Sequence, residues 1–329
     1  MNGKRICTID IIKFFLSIII VLHHYQQVTN LTFGRWNFYG GAIYFGYAVE
    51  FFFIISGFLS AYCLKNERTP DFKQFILKKA IRIYPMAVIS VLATVILMFI
   101  YKLYIGQWFL DIKPGLWKVF NSILLTHTGG VIPNLGLAIN NPTWYLCILM
   151  ACYILFWQII WLCDRLRVNP LYWFAAMSMI GIGLTKYGIN LPYLNSYSGR
   201  GYAAFFFGII MWYAYQNINP KKLISISIVE LTVLGTIIGT KMYDLYDDQW
   251  GIATFMIFPS LFWIVLFLDR FFKRRVWKVL GEISFEIYLW HFPLLILWSF
   301  VPGYNLHNGR MMMLEFTALT ILAAIVLYY

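Results

Sequence analysis

Residues 84–104 read Tyr-Pro-Met-Ala-Val-Ile-Ser-Val-Leu-Ala-Thr-Val-Ile-Leu-Met-Phe-Ile-Tyr-Lys-Leu-Tyr, and residues 78–83 before them read Lys-Lys-Ala-Ile-Arg-Ile. Between Tyr84 and Tyr101 there is no Asp, Glu, Lys or Arg. A helix of that length covers about 27 Å, close to the ~30 Å of a bilayer's hydrocarbon core. The cations stand at one end, where a spanning helix meets a polar surface. The stretch is a transmembrane helix with a basic flank.

The whole chain follows the same rule. Of 329 residues, 61% are hydrophobic and 12% charged; soluble domains run at about 45–50% and ~25%. Aromatics make up 20% and the mean hydropathy is +0.70. So few charges cannot cover a water-soluble surface, which excludes disorder, a coiled coil and a secreted disulfide scaffold. The expected fold is all-α: a polytopic transmembrane bundle of about ten helices forming a single domain over 1–329. No linker, repeat or low-complexity tract interrupts it.

Ten runs are apolar enough to span: 9–29, 41–63, 84–104, 141–162, 171–189, 201–217, 222–240, 250–268, 279–300 and 311–329. The basic start followed by the first run resembles a signal peptide, but the run is too long and lacks a small-residue cleavage site. Residues 115–139 are expected to be interfacial or re-entrant, because Gly129, Gly130, Pro133 and Gly136 break a full span. An eleventh helix there is the rival reading. At the far end the chain stops at Tyr329 within an apolar run, either because the last helix ends at the cytoplasmic interface or because the chain is clipped.

The cations choose between ten and eleven. With ten spans and Met1 cytoplasmic, 17 of the 26 Lys and Arg fall in the cytoplasmic segments 1–8, 64–83, 163–170, 218–222 and 269–278. The outer loops and outer helix ends hold 8, and Lys13 lies within the first run. This asymmetry predicts that both termini are cytoplasmic. The net charge of +12 therefore encodes topology, and no nucleic-acid partner is expected. The five cysteines show no paired C-x-x-C spacing, so neither zinc nor a redox pair is expected.

Ionisable groups in hydrocarbon are costly and point to function. Those inside or beside the apolar runs are Asp10, Lys13, His23, His24, Glu50, His127, Arg200, Glu282, Glu286 and His291. Asp10 and Lys13 share a helix face. They are either a self-satisfied pair or part of a site. His24 lies 14 residues after Asp10, about 21 Å further along a helix, in the outer half of the membrane. Glu50 enters from the outer side at similar depth. A histidine beside a carboxylate is a general-base arrangement; it is equally a hydrogen-bonded pair joining two helices.

Three further clusters stand out. Ser56-Gly57, in a bulky run, reads as close helix packing; it lacks the G-x-S-x-G frame of a serine nucleophile. Lys78, Lys79 and Arg82 lie within one turn at the membrane surface, as a topology signal and as a group able to hold phosphates. No glycine-rich phosphate loop is present, which disfavours a nucleotide-driven pump. Ser284, Tyr288 and His291 fall on one helix face, as a polar seam or the wall of a cavity.

These stretches resemble the membrane acyltransferase 3 family of bacterial integral-membrane O-acyltransferases. Asp10-x-x-Lys13 followed by His24 is similar to its opening D-x-x-R…H. Glu50-Phe-Phe-Phe-Ile-Ile-Ser-Gly-Phe-Leu resembles its acidic residue with F-F-x-x-S-G-F/Y-L. Lys79-Ala-Ile-Arg82-Ile-Tyr-Pro85 is similar to R-x-x-R-I-x-P, and Trp144-Tyr145-Leu146 to W-[FY]-L. Arg200-x-x-x-Phe-Phe-Phe-Gly208 resembles R-x-x-x-F-F-x-x-G. Gly281-x-x-Ser-x-x-x-Tyr-Leu-x-His291 resembles the late G-x-x-S-[YF]-x-x-Y-L-x-H. All six occur in register over nearly the whole chain. Lys13 and Lys79 depart from the pattern, since arginine is usual there; charge is kept and bidentate geometry lost. No soluble esterase-like domain follows, so a two-domain relay is not expected.

The resemblance implies an enzyme of the bacterial inner membrane. It would move an acyl group, usually acetyl, from cytoplasmic acyl-CoA to a sugar hydroxyl of a cell-surface glycan or its lipid-linked precursor. It implies His24 as general base with Glu50, and Lys79 and Arg82 on the CoA phosphates. A substrate tunnel would be lined by Asp10, Lys13, Ser56, Trp144, Arg200, Ser284, Tyr288 and His291. Membrane lipid, acyl-CoA and a carbohydrate are the implied partners, and no metal is expected. The competing class is a transporter or flippase using the same buried groups as a substrate or proton path. Transfer from acetyl-CoA separates the two.

Overall fold

The computed structural model describes residues 5–34, 37–41, 44–64, 69–129, 139–239, 249–272, 275–302 and 309–328. Among them the regular elements are helices, beside an isolated bridge between Leu191 and Leu194. The helices are α1 (Cys7–Thr29), α2 (Ala48–Cys63), α3 (Phe72–Ile105), α4 (Leu116–Ile123), α5 (Trp144–Leu166) and α6 (Pro170–Tyr187). They continue as α7 (Ser196–Gln216), α8 (Pro220–Gly239), α9 (Gln249–Leu268), α10 (Arg275–Trp298) and α11 (Gly309–Tyr328). Each of the ten predicted runs falls on one of these helices. Seven of them, α1, α2 with its preceding turn, α3, α5, α9, α10 and α11, are long and apolar enough to cross a membrane. The protein is a multi-pass membrane protein.

Two stretches beside the predicted runs take a definite form. Residues 72–83, expected as part of a cytoplasmic segment, form the first turns of α3, 34 residues long. Asp71 starts the helix by accepting from the Gln74 N–H at 2.9 Å, an N-cap that satisfies one of the first free amides. Lys79 and Arg82 therefore lie on the same helix as the span, just before Pro85. In residues 115–139 the helix covers only 116–123, about 12 Å long, too short to span. Gly130, Pro133 and Gly136 lie outside the described residues, as do Lys4, Arg35, Lys65, Arg68, Lys241, Lys273 and Arg274 of the cation count.

The chain divides into two compact units. One comprises Met1–Phe52, Ala214–His291 and Trp298–Tyr329; the other comprises Phe53–Tyr213 and Phe292–Leu297. In the first, α1 packs on α9 and α11, and α8 on α9. Arg5 anchors the start of α1: its Nε donates to Asp10 at 2.5 Å and Nη1 to Glu282 at 3.2 Å. Tyr328 donates to the same Glu282 at 2.7 Å. Asp10, read from sequence beside Lys13, is thus ion-paired with Arg5. Gly281 lies against the Asp10 carboxylate, where any Cβ would overlap it. That contact explains the glycine that opens the late motif.

In the second unit α3 packs on α4 and α5, and α5 on α6. Helices α2 and α7 approach at backbone distance. A Cβ on Gly57 would overlap the Phe205 carbonyl, and one on Gly208 the Ile54 carbonyl. The Ser-Gly of the second run is close packing, as its composition suggested. Phe53, Phe58, Phe156, Phe174, Phe205 and Phe206 fill the interior. The outward apolar faces are bare, with Leu103 of α3 82% exposed, as lipid-facing positions are.

Candidate active site

His23 and His24 sit on the last turns of α1 and face different surroundings. His23 is buried, and its Nδ1–H donates to the Phe38 carbonyl at 2.8 Å. The rings of Tyr39 and Tyr44 stand edge-on around it at 5.2 and 5.1 Å. Gln26 holds that loop by accepting from the N–H groups of Phe38 and Tyr39 at 2.5 and 3.1 Å. His23 is fixed as a structural group. His24 is half-buried, and its Nδ1 lies 2.9 Å from Gln27 Oε1. An amide oxygen only accepts, so Nδ1 carries the proton and Nε2 the lone pair.

The late motif reaches the same place. His291 of α10 stacks on His24 with centroids 5.2 Å apart and planes at 22°. Its Nδ1–H donates to the Ile287 carbonyl at 3.2 Å, and Nε2 is buried with no hydrogen-bond partner. The Tyr288 ring lies 6.1 Å from that of His291. Ser284 binds its own helix through the Gly281 carbonyl at 2.8 Å, and its carbonyl accepts from Ser17 of α1 at 2.8 Å. The face predicted to carry Ser284, Tyr288 and His291 is buried throughout. Lys13, one turn before Ser17 on α1, is half-buried.

Glu50 is completely buried at the start of α2 and accepts from the Trp250 indole N–H at 2.9 Å. Trp250 stands just before a π-helical turn, Ala253–Ile257, inside α9. Such a wide turn re-aims the residues beside it. Sequence reasoning missed Gln27 and Trp250. Gln27 had a local signal, the three-residue spacing from His24. Trp250 had none, since 200 residues separate it from Glu50.

In the second unit, Ser56 Oγ and Tyr145 Oη are 3.1 Å apart. The Lys79 ammonium lies over the Tyr153 ring at 4.4 Å and the Phe75 ring at 5.6 Å. Arg82 is exposed. Arg200 is half-buried and stacks on Trp144 at 4.7 Å, so two separately chosen motif residues meet in one cation–π contact. His127 follows α4 on a turn and is buried. Among the described residues no three of His, Cys, Asp and Glu gather as metal ligands.

Seven helices long and apolar enough to cross a membrane, with polar and ionisable side chains buried among them, define a membrane protein. The chain belongs to the acyltransferase 3 family, whose model, described as an acyltransferase domain, matches residues 8–329. The motif resemblance is borne out. Curated relatives bearing the name "Putative O-acetyltransferase" include those of Staphylococcus aureus strains COL, MSSA476 and MRSA252. Each is 23% identical over 286 residues, covering 78% of this chain and 46% of the relative. The chain spans about half the length of the curated relatives it matches. No solved structure matches it.

Proposed function

We propose that this acyltransferase moves an acetyl group from acyl-CoA at the cytoplasmic face of the bacterial inner membrane to a sugar hydroxyl of a cell-surface glycan or its lipid-linked precursor. The observation that carries the reading is His24, half-buried and pinned through Nδ1 by Gln27. The hydroxyl oxygen bonds to the thioester carbonyl carbon and the carbon–sulfur bond breaks. The hydroxyl proton passes to His24 Nε2 and from there to the departing thiolate, giving an ester and free CoA. A hydroxyl is a weak nucleophile at neutral pH, which is why a base must stand beside it. The family motif assigns Glu50 to the same machinery, with its side chain accepting from the Trp250 indole N–H. Lys79 and Arg82 hold the CoA phosphates.

Membranes containing the full chain and their own glycan, given acetyl-CoA labelled in the acetyl group, should accumulate base-labile label in the glycan. Unlabelled glycan beside intact acetyl-CoA would instead favour the transporter class.

The orientation belongs to the same proposal: ten spans with both termini cytoplasmic. Lys73 and Leu191 are both exposed. In a cysteine-free background, an impermeant thiol reagent on intact cells should label Leu191→Cys and spare Lys73→Cys. The opposite pattern would put Lys79 and Arg82 outside and remove the acyl-CoA side of the reading.

A further inference from the structure

The second unit holds a cavity of about 580 Å³ between α3 and α5, a volume within the ~300–1,000 Å³ of small-molecule sites. None of the residues assigned to acetyl transfer lines it. Its α3 wall is Ile76, Ala80 and Tyr84, and its α5 wall is Cys147, Ala151 and Leu155. Each trio is spaced by four, so each is a stripe on one helix face, about 12 Å long. The polar groups of the lining are turned back on the protein. The Tyr84 hydroxyl donates to the Leu124 carbonyl at 2.9 Å, Tyr202 to the Tyr193 carbonyl at 2.9 Å, and Thr126 to Asn121 Oδ1 at 2.8 Å. Those protons are spent, and a sugar or an amide chain buried there would leave its own polar groups poorly paired, which is costly. A hydrocarbon chain carries no such penalty.

The cavity has an open side. Ile76, Ala80, Ala151 and Leu155 are half-buried, and next to them Leu77, Ile81 and Leu124 are 51%, 65% and 42% exposed. In a multi-pass membrane protein such an apolar rim meets lipid. Lys73 adds a charge at one end. It is exposed on the first turn of α3, three residues before Ile76 and seven before Ala80, on the same helix face as the wall. We propose that the cavity binds one acyl chain of an anionic phospholipid whose phosphate pairs with Lys73. The occupant enters from hydrocarbon, is apolar along the two stripes, and carries negative charge at the end where α3 begins. A phospholipid of the leaflet at that end meets all three demands, and lysines beside a membrane attract anionic headgroups.

The full chain in phosphatidylcholine vesicles holding a trace of phosphatidylglycerol, with a photoreactive group on one acyl chain, tests this. Illumination should label peptides containing 76–84 and 147–155 well above the exposed face of α6 at Tyr172 and Met179, which are 74% and 72% exposed. Ala80→Trp and Ala151→Trp fill the cavity and should each lose most of that label. Leu103→Trp, on the bare part of α3, should keep it. Lys73→Gln should cut it about fivefold, the share of one lysine at an anionic surface. Being on the surface, it tests the same point should a tryptophan variant fail to insert. The proposal is overturned if the cavity-filling variants keep the parental label, which makes the contact ordinary lipid annulus. Equal labelling by phosphatidylcholine with the same photoreactive chain overturns it too, because the headgroup charge is then not read. So does suppression of the label by acetyl-CoA, which would give the cavity to the donor.

Discussion

His24→Ala is expected to insert and fold normally, to bind acetyl-CoA still, and to transfer acetyl about 10²–10⁴-fold more slowly, the usual span for a lost acid–base group. His23→Ala should keep most of its activity. The two residues are adjacent and chemically identical, so the contrast rests on surroundings alone. His23 Nδ1 donates to the Phe38 carbonyl and the ring is buried among Tyr39 and Tyr44. Losing it frees one carbonyl, a stability cost of about 1–3 kcal/mol if that group stays buried, and removes no base. His24 is open enough to meet a substrate, its tautomer is set by Gln27, and His291 stacks behind it. On the proposed mechanism, removal of its side chain takes away the proton acceptor itself. The measurement is labelled acetyl transfer per unit of membrane-inserted protein. If His23→Ala is the inactive variant, the base lies one residue earlier; if neither matters, the base mechanism is wrong.

The helices were legible because lipid imposes a simple code. A run of about 20 apolar residues has few other fates, and each such run is a helix here. What hydropathy could not show was where helices continue beyond the apolar part. Residues 72–83 carry Lys73, Lys78, Lys79 and Arg82 and so fall outside the apolar run, while the Asp71 cap that starts α3 is a single local bond. The site was legible wherever its parts lie on one helix. Ser284, Tyr288 and His291 share a face by spacing alone, and Gln27 was within reach of the same rule. Contacts made across the chain were not. Glu50 accepts from Trp250, Arg200 lies on Trp144, and His291 stacks on His24. No periodicity encodes such pairs, because each depends on how separate helices are rotated. Asp10 illustrates the limit: spacing pointed to Lys13 as its neighbour and gave no sign of its ion pair with Arg5, just before α1.

Arg82→Ala is expected to lower kcat/KM for acetyl-CoA roughly 10- to 150-fold, nearly all of it through KM, with acceptor affinity little changed. The size follows from one charge-assisted hydrogen bond, about 1.5–3 kcal/mol, at ~1.4 kcal/mol per tenfold. The direction follows from placement. Arg82 is exposed on the first turns of α3 and is reachable by a polyanion from water. Its guanidinium presents a planar fork to phosphate oxygens. Lys79 differs: its ammonium is held over Tyr153 and Phe75, and it offers a point charge rather than a fork. Arg82→Lys should therefore recover only part of the loss, since charge returns without bidentate geometry. Added salt should raise KM for the parent more than for Arg82→Ala, because screening acts on the charge the variant lacks. Steady-state kinetics with acetyl-CoA at two ionic strengths tests both points. If Arg82→Ala kept the parental KM at both, the cations of α3 would serve membrane topology alone, and the phosphates of the donor would have to be held elsewhere.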